Sequence, residues 1–472
     1  MSPRSVNAPN LARLLGGPPD GRPFYAALAG GLRGLVLDGR LPLRTRLPAE
    51  RDLAAALGVS RTTVTSAYDA LRSEGYAESR QGAGTWTALP GGGPVAARHS
   101  LAGDRTLIDL GSAAPSAPIG FDECVAAAAA ELPRHTCGPG YEPLGLEALR
   151  EAIAERYTAR GVPTLPEQVL VTTGALSGLC LVLQVFVNPG DAVLVESPTY
   201  PHALGALRRA GARLVPTGVN AGWDLELIGG GMRQAAARLA YLVPDFQNPT
   251  GRLMGDDDRA ALVAAAGDAN AYVVTDETFA ELAIDDAARP RPLAAHDTDG
   301  RVISIGSAAK VLWGGLRIGW IRAGQALVRR FAEARETVDL ASPVLEQLIV
   351  TELLARMDAI AAERRSVLRE RRAALVESLR RECPDWEFTV PPGGLSLWAR
   401  LPHMSSAALA AAAGRHGLHI VPGTAFGVDG VLDDHVRVPY VLAPQRLREA
   451  AARLASACRD ADAAHAPRRT YV

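Results

Sequence analysis

From about residue 108 onward, short apolar runs alternate with stretches of helical spacing and length. Val169–Thr172, Ala192–Glu196, Leu239–Pro244, Tyr272–Asp276 and Val302–Gly306 read as buried strands, and the segments between them as helices. Strand and helix in strict alternation is the βαβ rhythm of a large parallel or mixed sheet. The apolar stretch Leu179–Val187, interrupted by Gln184, reads as a buried helix within this pattern. The charged stretch from about 324 to 382 reads as exposed helices.

The first part of the chain has a different grammar. Residues 20–88 read as a compact helical unit closed by a hairpin, and residues 89–107, rich in Gly and Ala and without periodicity, as a linker. The body then spans 108–458. Within the first unit, Leu47-Pro48-Ala49-Glu50-Arg51-Asp52-Leu53 predicts a helix with Pro in its first turn and acids that suit the helix dipole. Gly58 stops it, and Ser60 caps a second helix. There Val64, Ala67, Tyr68 and Leu71 fall at i, i+3, i+4 and i+7, a core-facing stripe that leaves Arg61, Thr62, Thr65 and Ser66 on other faces. Helix, tight turn and helix, followed by the Gly-rich Gln81-Gly82-Ala83-Gly84-Thr85-Trp86, match the pattern of a helix-turn-helix with a wing, which by itself also fits any small helical bundle.

Composition limits the chemistry. Of 50 Lys and Arg residues only Lys310 is lysine. A guanidinium stays protonated, whereas a lysine amine can form a Schiff base with a carbonyl, so the single lysine is either the candidate for covalent chemistry or a chance survivor of composition, and its neighbours decide between the two. Formal net charge is −1, which excludes a chain that binds polyanions over its whole surface. Over residues 20–90, nine Arg face seven Asp and Glu, a small local excess, so duplex DNA would be gripped by two units in a dimer. The start of the chain lacks a signal-peptide pattern, and no uncharged apolar run approaches the roughly 18 residues of a membrane span. Cys124, Cys137, Cys180, Cys383 and Cys458 are scattered and form no C-x-x-C, which argues against a disulfide framework or a metal site and fits a reducing, cytoplasmic setting.

Several segments bear on Lys310. Ser307-Ala308-Ala309-Lys310 is followed by Trp313-Gly314-Gly315-Leu316-Arg317. Asp276 ends one predicted strand, Pro244–Gly251 makes a tight turn after another, and Thr172-Thr173-Gly174-Ala175-Leu176 is a strand-to-helix turn suited to an anion.

LPAERDLAAALGVSRTTVTSAYDALRSEGY followed by GAGTW resembles the winged helix-turn-helix of the GntR family over about 65 residues. The resemblance implies DNA contacts by Arg51, Ser60, Arg61, Thr62, Thr63 and the wing-tip Gly82. The segments around Lys310, in their order, resemble the fold-type I pyridoxal-5′-phosphate (PLP) aminotransferases from about 108 to 458. That resemblance implies a large mixed α/β sheet domain with a smaller α+β C-terminal domain. It implies an internal aldimine at Lys310, Asp276 on the pyridine nitrogen, Asn248 on the ring hydroxyl oxygen and Tyr200 stacked on the ring. The phosphate falls to the Gly174, Ala175 and Leu176 amides, Ser307 and Arg317, with Tyr141 reaching it across a dimer interface. Arg437, in His435-Val436-Arg437-Val438-Pro439, would clamp a carboxylate.

The sequence departs from that pattern at three places. Ala309 stands where a Ser often precedes the lysine, Phe279 stands where a Tyr follows the ring-nitrogen acid, and the segment around Tyr141 is one residue short. A winged unit, a linker and an aminotransferase-like body together resemble the MocR subfamily of regulators, which implies a head-to-tail, domain-swapped homodimer. The expected function is a transcription factor that binds operator DNA and senses an amino compound, or PLP itself, at Lys310. A working aminotransferase with an appended DNA-binding unit is the alternative, and a body that serves only as a dimerisation scaffold is a third reading.

Overall fold

The computed structural model describes residues 5–17, 22–37, 41, 45–80, 84–88, 107–219, 221–285, 290–401 and 404–465. The N-terminal unit comprises α1 (Ala8–Leu15), α2 (Phe24–Leu37), α3 (Glu50–Leu57), α4 (Arg61–Ser73) and the antiparallel hairpin β1 (Ala77–Arg80) and β2 (Gly84–Thr87). Its core forms where the apolar stripes meet: Leu28, Leu32 and Leu35 of α2 against Leu53 and Leu57 of α3 and Val64, Ala67, Tyr68 and Leu71 of α4. The stripe expected on α4 is therefore the buried one. One expectation is corrected: α3 begins at Glu50 with Ala49 as its cap, so Pro48 precedes the first turn. The Pro48 carbonyl instead accepts from the Tyr68 hydroxyl at 3.0 Å, tying the entry of α3 to α4. Ser60 caps α4 as expected, its Oγ accepting from the Thr63 amide at 3.1 Å.

The body opens with β3 (Ile108–Asp109), α5 (Phe121–Glu131) and α6 (Glu147–Ala159). It continues through β4 (Val169–Thr172), α7 (Ala175–Phe186), β5 (Ala192–Ser197), α8 (Pro201–Arg209), β6 (Arg213–Gly218), α9 (Leu225–Ala235), β7 (Leu239–Leu242), α10 (Asp256–Asp268) and β8 (Tyr272–Asp276). Then come β9 (Val302–Ser307), β10 (Gly319–Arg322), α11 (Gln325–Arg335), α12 (Val344–Ala355) and α13 (Met357–Glu382). The chain closes with β11 (Glu387–Phe388), β12 (Ser396–Arg400), α14 (Ser406–Arg415), β13 (Leu418–His419), β14 (His435–Pro439) and α15 (Pro444–His465).

Among the described residues, a seven-stranded sheet has the order β4-β10-β9-β8-β7-β5-β6. Pairing is parallel except at β10, which runs antiparallel to both β4 and β9. Five of these strands are those read from the sequence, with Leu239–Leu242 two residues shorter at its end and β5 and β9 one residue longer. Their side chains are buried on both faces, as sandwiching helices require. A three-stranded antiparallel sheet, β11-β12-β14, forms the core of the smaller C-terminal part. The first strand of the body, β3, pairs in parallel with β13 of that part.

The segment 324–382 is helical, but not exposed as expected. α12 buries Leu348, Ile349, Val350, Leu353 and Leu354. Its flanking helices bury arginines that find carbonyl partners. Arg335 is fully buried and donates to Val171 O at 2.6 Å, Pro143 O at 3.0 Å, Ser342 Oγ at 2.8 Å and Asp339 Oδ1 at 2.6 Å. Asp339 also accepts from Thr173 Oγ1 at 2.7 Å, one residue before Gly174. Arg335→Ala would orphan these acceptors, so it is expected to destabilise the protein by about 3–5 kcal/mol, read from chemical denaturation.

Candidate cofactor site and DNA-binding face

Because β4, β5, β7, β8 and β9 run in one direction, their C-terminal ends share one edge of the sheet, where open α/β sheets bind ligands. Each delivers part of the candidate site. β4 leads to Gly174, β5 to Tyr200, β7 to Asn248, β8 ends at Asp276, and β9 ends at Ser307 just before Lys310.

Gly174 has φ 91°, and a side chain there would meet Arg317 Nη2 at 2.8 Å. The position therefore demands glycine twice, for its backbone and for clearance. No side chain caps α7, which leaves its first amides, at Ala175 and Leu176, facing that edge with the positive end of the helix dipole. Arg317 is itself in the left-handed region, φ 53°, and its Nη2 donates to Thr173 O at 3.4 Å. Ser307 Oγ accepts from the Ala309 amide at 3.1 Å. The Ala175 and Leu176 amides, a hydroxyl and a guanidinium thus gather at one corner of that edge, a set that suits a phosphate.

Lys310 lies in a single wide turn, Ala309–Trp313. Arg364 of α13 holds that turn, donating to Val311 O and Leu312 O, each at 2.9 Å. The Lys310 side chain is half-buried, and its Nζ donates to Ala113 O at 2.8 Å. Burial pushes the amine down to about 8; Arg437 and Arg317 push the same way, and Asp276 opposes them. The Phe279 ring, whose centroid is 6.0 Å from Nζ, presents a cation–π face where the family pattern would offer a hydroxyl.

Asp276 is buried. Its Oδ2 accepts from Tyr241 OH at 2.7 Å and its Oδ1 from the Thr278 amide at 3.0 Å. Tyr200 precedes α8 and remains a neutral phenol, its pKa pushed up to about 12 by burial and then by Asp276. Arg437, on β14, is buried and brings the smaller part of the body to the site. Its Nη1 donates to Asn248 Oδ1 at 3.3 Å and its Nη2 to Gly111 O at 2.5 Å. With Oδ1 so engaged, Asn248 has its amide N–H groups left as donors.

Lys310, Asp276, Asn248, Tyr200, Arg317, Ser307, Gly174 and Arg437 are thus brought to one edge. Tyr141 is not among them: within one chain it is 63% exposed in the segment ahead of α6. Sequence reasoning missed a buried support beneath the site. Glu196 Oε1 accepts from Trp223 Nε1 at 2.7 Å and from the Val243 amide at 3.1 Å, and its Oε2 from Gln247 Nε2 at 2.9 Å. Gln247 also donates to Pro198 O at 2.7 Å, and its Oε1 accepts from Thr250 Oγ1 at 2.8 Å. The pair therefore ties the turn carrying Tyr200 to the turn carrying Asn248. Burial outweighs all three donors and raises the Glu196 carboxyl to about 7. The signal was a lone charge inside an apolar strand.

On the N-terminal unit, Arg51, Ser60, Arg61 and Thr62 are exposed and Thr63 half-buried at the start of α4. Ser60 Oγ lies 2.7 Å from Thr62 Oγ1 and 2.8 Å from Thr63 Oγ1, a hydroxyl cluster on a helix N-terminus. Arg61 is 72% exposed, with its Nε 3.6 Å from Glu50. Gly82 lies outside the described residues. Beside this face, Arg22, Phe24 and Tyr25 at the start of α2 line a concavity of about 640 Å³ with Thr62, Thr63 and Ser66, an addition the sequence pattern did not single out.

Fold and recess define an aminotransferase-like body joined to a winged DNA-binding unit. The family described as aminotransferase class I and II matches residues 105–454, and that of bacterial regulatory proteins of the gntR family matches residues 24–86. The probable rhizopine catabolism regulatory protein MocR of Rhizobium meliloti is 33% identical over 395 residues, covering 77% of this chain and 78% of that protein. The uncharacterized HTH-type transcriptional regulator YdcR of Escherichia coli is 30% identical over 431 residues, covering 85% of this chain and 92% of that protein. Among solved structures, the α-aminoadipate aminotransferase LysN of Thermus thermophilus, complexed with N-(5′-phosphopyridoxyl)-L-leucine, superposes with a TM-score of 0.70 at 31% identity, covering 76% of this chain and 94% of that one. The chain belongs to the class I and II aminotransferase family and, with a gntR-type unit ahead of that body, to the MocR-type regulators within it.

A lysine whose folded pKa is lowered presents neutral amine above about pH 8 rather than above 10.5. Covalent capture of PLP by Lys310, followed by visible absorbance, should therefore rise with pH through about 8. Arg437→Leu should move that midpoint up and Asp276→Asn should move it down.

Proposed function

We propose that this protein is a PLP-dependent transcriptional regulator. In this reading the winged unit binds operator DNA and the aminotransferase-like body senses an amino compound or PLP itself. One observation carries the reading: the sole lysine of the chain, its amine lowered to about 8, stands in the same recess as Asp276 and Arg437. The residues fit PLP. The Gly174 corner would take its phosphate, through the Ala175 and Leu176 amides, Ser307 and Arg317. Tyr200 would stack on its ring, Asn248 would donate to its hydroxyl oxygen, and Asp276 would hold a proton on its pyridine nitrogen. When bound, this group supplies an electrophilic carbon and an electron sink to amines.

Lys310 would hold the cofactor through its neutral amine. Arg437 would hold a carboxylate on an incoming amine with two parallel hydrogen bonds. Phe279, lacking a hydroxyl, leaves the ring oxygen to Asn248 alone, and Ala309 removes a hydroxyl beside the lysine. Both changes favour occupancy sensing over fast turnover. In the cytoplasm, two chains would pair head-to-tail with exchanged winged units, and the exposed Tyr141 would reach the partner's phosphate corner. Arg51, Ser60, Arg61, Thr62, Thr63 and Gly82 would meet the duplex, with the start of α4 at the base edges. An effector can shift the two DNA-binding units only by binding one arrangement more tightly than the other.

Operator titrations with and without PLP test the sensing step. The expected result is an affinity that responds to PLP in the wild type and not in Lys310→Ala, and four coincident curves would overturn it. Steady amino transfer to a keto acid at about 1 s⁻¹ or more would instead identify an enzyme. Arg61→Ala should weaken specific operator binding by about 1–3 kcal/mol if it reads a base, measured against unrelated duplex.

A further inference from the structure

Asp109 and His419 have no part in the roles assigned above. They occupy the second positions of β3 and β13 and face each other across that parallel pair. His419 Nδ1 lies 2.7 Å from Asp109 Oδ1, with both side chains about one-third exposed. The same oxygen accepts from the Gly111 amide at 2.7 Å. Gly111 is wedged against the pair: a side chain there would sit 2.5 Å from His419 Cε1 and 3.0 Å from Asp109 Oδ1.

The other end of residue 111 faces the recess, where its carbonyl accepts from Arg437 Nη2 at 2.5 Å. Asn248 Oδ1 holds Nη1 at 3.3 Å, and the buried Nε has no hydrogen-bond partner among the described residues. Two fixed acceptors thus set the plane of the guanidinium and leave an N–H on each nitrogen free. A fork–fork contact with a carboxylate depends on that plane, because both hydrogen bonds must be straight at once. Asp109 also acts on Arg437 at longer range, favouring its charged form.

We propose that Asp109 and His419 are positioning residues: through Gly111 they orient Arg437, and so give the site its preference for amines that carry a carboxylate. The proposal rests on Arg437 being the carboxylate clamp. It also places the device on the first strand of the body, where the chain arrives from the winged unit.

The test compares two stable probes on the full chain freed of cofactor, N-(5′-phosphopyridoxyl)-L-leucine and its analogue without the carboxylate, N-(5′-phosphopyridoxyl)-3-methylbutylamine. Wild type should bind the leucine adduct more tightly, and Arg437→Leu should erase that preference. Asp109→Ala should cut the preference by roughly tenfold, the scale of one hydrogen bond to a charged group, and leave the amine adduct unchanged. Asp109→Asn keeps an acceptor for the Gly111 amide and should recover most of the preference. His419→Leu removes the other half of the pair and gives the same reading should Asp109→Ala not fold. A ratio that stays at the wild-type value in both variants, or an equal loss for both probes, would overturn the proposal. A wild type with no preference would overturn the clamp reading itself, and the proposal with it, so the two failures are separable.

Discussion

The common direction of all but one strand in the seven-stranded sheet is the constraint on which the recess depends. A strand presents its C-terminal end wherever the sheet puts it, and here six of those ends fall on the same edge, five of them leading to residues of the site. Each then needs only a short turn to place its residue: three residues from β5 to Tyr200, six from β7 to Asn248, and none from β8 to Asp276. The antiparallel β10 returns from that edge, which is why Arg317, just before it, comes back over Gly174.

Bringing cations into such an edge carries a cost that the surrounding backbone offsets. Lys310 and Arg437 are both depressed in pKa by burial, and each leans on a carbonyl of the segment 109–113. The same solution recurs below the site, where Arg335 and Arg364 cross-link turns by donating to main-chain oxygens. A guanidinium suits this work because its N–H groups fan out in a plane and can serve several carbonyls at once. The Arg364 contacts lie on the turn of Lys310 itself, so the position of the reactive amine is set from two sides.

Much of this arrangement was legible in the residues. The short apolar runs announced five strands, and the order of the short motifs placed the recess. What stayed hidden has physical reasons. β10 is four residues long, contains Gly and Arg, and carries no alternation to distinguish it from a turn. The arginines of α11 and α13 look solvent-seeking, and only the fold reveals carbonyls waiting for them. Arg437 could be recognised by its motif, but its partner at Gly111 is a backbone oxygen 326 residues away, and backbone groups leave no mark in a sequence. Glu196 was visible as an anomaly, a charge in an apolar run, without any hint that Gln247 would complete it.

The scarcity of lysine has a consequence beyond the recess. Pyridoxal aldehydes condense readily with exposed primary amines, and most proteins carry a coat of them. Here the surface cations are guanidinium groups, which do not condense in this way, so the side chains offer the aldehyde no decoys. Colour or a borohydride-fixed mass increment on a side chain of this protein therefore reports one address, without the background that surface lysines would add.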